Sequence, residues 1–155
     1  MHLRRINSAN ISECLALRLE DEQAQFVASN AKSLAQASTN PARVPLAIYD
    51  SAARGFEFVP PVPMVGFTLY ELTAGVGFIL RLMVDRQHQG KGYGKAAMRE
   101  VIRRLRLTPE VEMIATSYKI GNAAAAHLYG SLGFVPWDIA YAQDNADEVY
   151  VRLAQ

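Results

Sequence analysis

The sequence predicts an α/β protein in which helices pack on a mixed β-sheet. Apolar runs typical of strands alternate with segments of helical periodicity, glycines and prolines separate them, and one strand–helix–strand unit spans residues 78–117. A unit of that kind places its two strands parallel. The chain has 155 residues, 50% of them apolar, which is enough for one full core, so residues 1–155 are expected to form a single domain.

Two helices and three strands are predicted in the first half. Helical spacing follows Ser8, and a second helical segment, EQAQFVASNAKSLAQA, is interrupted near Ser29, which could end one turn and cap the next. An extra first strand is allowed at residues 2–6. The three strands of this half are VPLAIY (44–49), MVGFTLYEL (64–72) and VGFILRLMVD (76–85).

The second half continues as helix, strand, helix and two strands. The first helix runs from about Gly94 to Leu105, and the strand VEMIATSY follows it. An alanine-rich helix then begins after Asn122 and ends at Gly133, a residue suited to a C-terminal cap. FVPWDIAY and DEVYVRL are the last two strands. The predicted order is therefore α-α-β-β-β-α-β-α-β-β.

Composition and charge exclude several classes of protein. The formal net charge is +1 with both signs interleaved, which argues against a nucleic acid or a membrane as partner. No stretch approaches the roughly 20 apolar residues that a membrane span needs. Cys14 is the only cysteine, so there is no disulfide framework, and a cytoplasmic location without a metal is expected.

The segment RLMVDRQHQGKGYGKAAM (81–98) places three glycines and two lysines between a strand and a helix. Free N–H groups at a helix N-terminus bind anions, and Lys91 and Lys95 suit a ligand with several negative charges, such as a pyrophosphate. A solvated surface turn is the alternative. A P-loop is excluded because Gln89 stands where its first glycine belongs and Ala96 where its hydroxyl belongs.

A dinucleotide-binding pattern, G-x-G-x-x-[GA], also fits Gly92 to Ala97, with Glu112 at a distance suited to a ribose. The position of this pattern past the middle of the chain argues against a dinucleotide-binding domain. Gln89 to Gly94 instead resembles the Q/R-x-x-G-x-[GA] motif of the GNAT superfamily of N-acetyltransferases, and Asn122 to Phe134 resembles that family's N-x-x-A-x-x-L-Y-x-x-x-G-F segment. The order of elements is also the family's order.

The resemblance implies that acetyl-CoA is the acetyl donor. The loop would then bind its pyrophosphate, the fourth and fifth strands would splay apart, and the exposed edge of the fourth would bind the pantetheine arm. An N–H of Met83 or Val84 would polarise the thioester carbonyl. Asn122 is equally suited to cap its helix. The residues assigned to acetyl-CoA are Leu82, Met83, Val84, Gln89, Gly90, Lys91, Gly92, Tyr93, Gly94, Lys95 and Asn122.

Tyr129 matches the family's usual general acid for the departing thiolate. Without the resemblance, a lone tyrosine on a short helix is more often a core residue. The family often places a glutamate base on the fourth strand, but this strand has none. Glu71, at the end of the third strand, is the predicted substitute, acting through water. A solvated strand end is the alternative for Glu71.

Segments such as FVASN (26–30) and GFTLYE (66–71) look like bacterial proteins described as spermine/spermidine or diamine acetyltransferases. A small-molecule amine is therefore the expected partner, with a polyamine as the specific expectation. A polycation needs carboxylates and aromatic faces. Residues 20–22 could equally be a solvated helix start, and residues 50–65 could cover the acceptor cleft. The residues expected to bind the acceptor are Glu22, Tyr49, Tyr70 and Glu71.

Two other functions stay open at this point. A protein of this fold could bind acyl-CoA as a sensor without efficient chemistry, and the glycine pattern alone also allows a dinucleotide-dependent oxidoreductase. Dimers are common among the relatives, so a homodimer is a further expectation.

Overall fold

The computed structural model describes residues 1–50, 62–139 and 146–154, and its described strands form one seven-stranded mixed sheet. The spatial order is β1-β2-β3-β4-β5-β7-β6; β4 and β5 are parallel, and the other neighbours are antiparallel. The predicted mixed sheet and its parallel unit are confirmed. The strands are β1 (His2–Arg5), β2 (Arg43–Tyr49), β3 (Met64–Thr73), β4 (Val76–Val84), β5 (Met113–Lys119), β6 (Phe134–Pro136) and β7 (Glu148–Leu153).

Three short helices, rather than two, precede β2. The predicted interruption is real, because the Ser29 hydroxyl accepts a hydrogen bond from the N–H of Lys32 at 3.1 Å and caps a new helix. None of the described helices is long and apolar enough to span a membrane. The helices are α1 (Ile11–Ala16), α2 (Asp21–Ala24), α3 (Asn30–Ser38), α4 (Tyr93–Arg106) and α5 (Ala123–Ser131).

Other boundaries differ in detail. The first helix begins at Ile11 rather than directly after Ser8, and the strand predicted at FVPWDIAY ends at Pro136. Gly133 has a φ of +95° directly after the α5 C-cap, as the predicted glycine cap requires. The expected cover over the acceptor cleft falls largely on residues 51–61, which lie outside the described residues.

Two apolar clusters make the core, one on each face of the sheet. One contains Cys14 and Leu17 of the first helical segment together with Phe67, Leu69 and Met83. The other contains the α4 stripe, which is fully buried as predicted. The stripe consists of Ala97, Met98, Val101, Ile102 and Leu105.

β4 contains a β-bulge beside the end of its pairing with β5. Leu69 of β3 pairs with Arg81 but Tyr70 pairs with Ile79, so Leu80 is an extra residue on β4. The parallel pairing with β5 also ends at Ile79, opposite Thr116. Because a bulge bends its strand, the second half of β4 diverges from β5 and leaves a gap between them, as the resemblance implied.

Candidate active site

A cavity of about 610 Å³ lies in the gap between β4 and β5. β4 lines it with Leu80 to Val84, and β5 lines it with Ser117 to Lys119. Gln23 and residues 25–28 contribute from one side, and Gly121 to Ala125 contribute from the other. Ligand sites typically have volumes of about 300–1,000 Å³, so this gap is large enough for part of an extended ligand.

The glycine loop forms one end of the site. Gly90 and Gly92 have φ values of +77° and +80°, and a Cβ on either would meet no atom within 4 Å. Gly92 is the N-cap of α4, and no described side chain caps this helix. Lys91 and Lys95 add positive charge beside the uncapped N–H groups. The residues present therefore fit the pyrophosphate of CoA.

The side chains of this loop also hold the site together. The Gln89 amide donates to the carbonyl of Val84 at 2.9 Å and exchanges hydrogen bonds with Gln23 at 2.8 and 3.0 Å. The Tyr93 hydroxyl donates to Asp50 at 2.7 Å, and this bond raises the pKa of Tyr93. Among the loop residues assigned to acetyl-CoA, Gln89 and Gly94 line the cavity, whereas Gly90 to Tyr93 and Lys95 lie outside its lining.

Every second residue of β4 points its backbone N–H and carbonyl groups away from β3 and into the gap. The N–H of Asp85 donates to the carbonyl of Val65 on β3 at 2.8 Å, whereas the carbonyl of Val84 accepts from the glycine loop. Successive residues of a strand point their backbone groups in opposite directions. Leu82 and Val84 therefore face the gap with their N–H groups, while Met83 faces β3.

Tyr129 lies on the wall of the cavity, on α5. Its ring packs against Tyr118 at 5.9 Å and Phe134 at 5.6 Å between centroids, and the side chain is 7% exposed. Burial raises the pKa of Tyr129 to about 12, although a hydrogen bond with Thr116 lowers it in part. The phenol is therefore protonated at neutral pH and can act as a hydrogen-bond donor. Thr116 donates its single hydroxyl proton to the carbonyl of Ile79 at 2.8 Å, where β4 and β5 part, so towards Tyr129 its oxygen acts as the acceptor.

Asn122 lines the cavity and caps α5 at the same time. Its Oδ1 accepts a hydrogen bond from the N–H of Ala125 at 3.1 Å. The predicted capping role is confirmed. The side-chain amide nitrogen of Asn122 makes no hydrogen bond to another described residue.

The residues expected to bind the acceptor lie outside the cavity lining: Glu22, Tyr49, Tyr70 and Glu71. Glu71 instead lies 3.4 Å from Arg43, an ion pair in which the Nε of Arg43 lacks hydrogen-bond geometry. The guanidinium of Arg4 lies 5.7 Å from the ring centroid of Tyr49. Tyr70 is 8% exposed and packs in the core.

Sequence reasoning missed the four charged residues that line the cavity: Lys32, Arg81 on β4, Lys119 on β5 and Glu148 on β7. Arg81 had a signal, because it is the only charge within the apolar run VGFILRLMV. Glu148 had none, since only the antiparallel pairing of β7 with β5 brings it opposite Lys119. In the described residues, no group of three or more histidine, cysteine, aspartate or glutamate side chains could hold a metal.

The dinucleotide interpretation fails on the position of Glu112. Its N–H donates to the carbonyl of Gly75 at 2.7 Å, in the turn that precedes β4. The glycine loop follows the other end of β4, so Glu112 cannot reach a ribose bound there.

The cleft starts at the anion-binding loop and continues between two diverging parallel strands, which is the arrangement that the resemblance to N-acetyltransferases implied. The model of the acetyltransferase (GNAT) family matches residues 18–134. This match covers more than half of the chain, and the chain belongs to that family. It is an acetyl-CoA-dependent N-acetyltransferase.

Solved structures share the fold at low sequence identity. A spermidine N-acetyltransferase from Vibrio cholerae, in complex with CoA and spermine, is 13% identical, covers 97% of this chain and 92% of its own, and has a TM-score of 0.69. A domain from Methanocaldococcus jannaschii is 16% identical, with coverages of 98% and 96% and a TM-score of 0.74. The PaiA N-acetyltransferase from Thermoplasma acidophilum, in complex with coenzyme A, is 11% identical, with coverages of 99% and 98% and a TM-score of 0.67. No curated protein matches significantly.

Proposed function

We propose that the protein transfers the acetyl group of acetyl-CoA to a primary amine of a small molecule, by direct attack in a ternary complex within the gap. The observation that carries this proposal is the opening of the sheet at Ile79, with the glycine loop at one end and Tyr129 on the wall. The described strands from β1 to β7 form one sheet, which supports a single domain over residues 1–155. A cytoplasmic location belongs to the same proposal.

The loop binds the pyrophosphate of the donor through the N–H groups from Gly90 to Lys95, and Lys91 and Lys95 supply charge. The edge of β4 binds the pantetheine arm. When bound, the thioester supplies an activated acetyl group. The N–H groups of Leu82 and Val84, which face the gap, are the donors to its carbonyl. Leu82 lies about 7 Å further from the loop than Val84 does, by the rise of a strand, and is the better placed of the two for the reacting end.

Tyr129 acts as a hydrogen-bond donor to the departing sulfur. Complete proton transfer from a phenol of pKa about 12 to a thiolate whose thiol has a pKa of about 8.5 would cost roughly 5 kcal/mol. A shared proton avoids that cost and still stabilises the charge that develops on sulfur. The raised pKa therefore fits a tyrosine that keeps its proton through the reaction.

The amine must lose a proton before attack. An alkylamine with a pKa of about 10 needs about 4 kcal/mol to be neutral at pH 7, which makes a base or a water chain useful. Glu71, acting through water, is the base proposed from the sequence, although it is ion-paired with Arg43. Glu148 is the described carboxylate that lines the cavity, and it is the second candidate.

A polyamine such as spermidine or spermine is one acceptor that fits this reaction. Two of the similar structures are spermidine N-acetyltransferases, and one of them contains spermine. The position of Glu22 and Glu71 outside the cavity lining leaves this acceptor without its expected carboxylates.

Release of CoA thiol, followed with a panel of amines, tests the proposal. We expect turnover with at least one primary amine, and a loss of rate in Tyr129→Phe with CoA binding intact. If CoA binds but no amine, peptide or aminoglycoside is acetylated, the protein is an acyl-CoA sensor instead.

A further inference from the structure

Arg81 occupies an unusual place for a charged side chain. It follows the bulge residue Leu80 on β4 and lines the cavity just beyond Ile79, where β4 and β5 part. Its side chain lies on the α3 side of the sheet, because Nη2 reaches Gln36. An arginine in a central strand has to be desolvated, and burial lowers the pKa of Arg81 accordingly.

The guanidinium of Arg81 is held in place but is not saturated. Nη1 donates to the carbonyl of Leu80 at 2.8 Å, and Nη2 makes one long contact of 3.5 Å with Gln36. Nε is buried without a hydrogen-bond partner among the described residues. A guanidinium has five N–H donors in a planar fork that matches a carboxylate. Nη1 and Nη2 carry four of these N–H groups and two of them have described partners, so Arg81 retains hydrogen-bonding capacity for a bound anion.

Positive charge predominates in the described lining of the cavity. Lys32, Arg81 and Lys119 line it, against the single carboxylate Glu148. Lys119 is 3.9 Å from Asp147. Glu148 acts on Arg81 by charge, as does Arg43, which repels it. A triply or quadruply charged amine would meet mostly like charges here, whereas a molecule that carries both an anion and an ammonium group would meet both of its complements.

We propose that the acceptor is an amine that also carries a carboxylate, and that Arg81 binds this carboxylate while Glu148 faces the ammonium group. This inference rests on the proposed function and names the class of its acceptor: an amino acid or a similar small zwitterion. Arg81 is then the residue that determines specificity. Its fixed fork recognises the carboxylate, which a lysine at the same position would do less well.

Matched amines that differ in the carboxylate alone test this assignment. The pairs are lysine and cadaverine, ornithine and putrescine, and γ-aminobutyrate and propylamine, with spermidine as the polycation. In the wild type we expect a kcat/KM at least about tenfold higher for the carboxylate member of one or more pairs. In Arg81→Gln this preference should disappear through a raised KM for that member, with the KM for acetyl-CoA unchanged. Arg81→Lys should restore part of it.

Arg106→Gln is the matched control, since it removes the same charge from the end of α4, outside this cavity. Thermal melting shows whether each variant folds; if Arg81→Gln does not, the wild-type pairs and Arg81→Lys still decide the question. Preference for spermidine or the diamines, or an equal loss for both members of a pair in Arg81→Gln, would overturn the assignment while acetyl transfer stands.

Calorimetric titration of each amine into the CoA-saturated protein separates this inference from the proposed function. Binding of the carboxylate member alone, abolished in Arg81→Gln, supports the anion site even if no amine is acetylated. Absence of any difference in binding between paired amines would contradict it, even if acetylation occurs.

Discussion

Replacement of Tyr129 by phenylalanine removes one oxygen atom from the wall of the cavity and leaves the ring. The ring contacts with Tyr118 and Phe134 remain, so the expected loss of stability is limited to the hydrogen bond with Thr116, about 1 kcal/mol. Acid catalysis contributes about 10²–10⁴ in rate. Because the phenol shares its proton rather than transferring it, we expect the lower end, a kcat reduced about 100-fold.

The assay is thiol release at saturating acetyl-CoA and amine, combined with calorimetric titration of CoA. CoA affinity should change by less than about threefold, since the hydroxyl acts on the developing charge rather than on the bound donor. Tyr150→Phe is the control, because it makes the same chemical change on β7 outside the cavity lining. A kcat within about threefold of wild type would show that Tyr129 is not the donor.

The raised pKa of Tyr129 also has consequences for stability. Below pH 10 the phenol is neutral in both the folded and unfolded states, so its contribution is fully present. Above pH 10 the unfolded chain ionises first, and stability falls until the folded pKa of about 12 is reached. The difference of two units corresponds to roughly 3 kcal/mol. Urea unfolding at pH 9 and pH 11 should show that Tyr129→Phe loses less stability between these pH values than the wild type does. An identical loss in both proteins would contradict the raised pKa of Tyr129.

Three further results are expected. Gly92→Ala places a side chain at φ +80° and should weaken CoA binding at least about tenfold by calorimetry. The matched change Gly130→Ala in α5 should leave CoA binding unaltered. Equal effects of the two changes would contradict CoA binding by the glycine loop. Cys14 is 0% exposed and burial raises its pKa to about 11, so Ellman's reagent should detect it only after unfolding, and rapid reaction in the native protein would contradict its burial. Of Glu148→Gln and Glu71→Gln, only the change at the true base should lower kcat, by about 10²–10⁴, and an unchanged kcat in both variants would exclude both residues.

Much of the fold could be predicted from the sequence because local patterns determine it. The spacing of Ala97, Met98 and Val101 defined the buried face of α4, and Gly133 marked the end of α5. The helix break at Ser29 was likewise visible as a capping residue. These are short-range effects, and they hold wherever the segment is placed.

The position of the glycine loop before α4 and that of Tyr129 on α5 could also be predicted, since two motifs contained them. The residues of the acceptor site could not be predicted from the sequence. Glu71 looked available in the sequence but is ion-paired with Arg43, a contact between neighbouring strands. Glu148 comes to the cavity from a strand far along the chain. Long-range pairing decides such contacts, and single-sequence patterns do not contain it.

The sequence by itself determined the elements, the glycine loop and the family, because these depend on residue types at fixed spacing. The tertiary structure alone decided which groups face the gap. A single extra residue at Leu80 shifts the register of β4 on β3, and a shift of one residue reverses the direction of the backbone and side-chain groups that follow it. For that reason Leu82 and Val84, rather than Met83, point their N–H groups into the gap. Arg81 lies at the end of the gap next to Ile79, where β4 and β5 part.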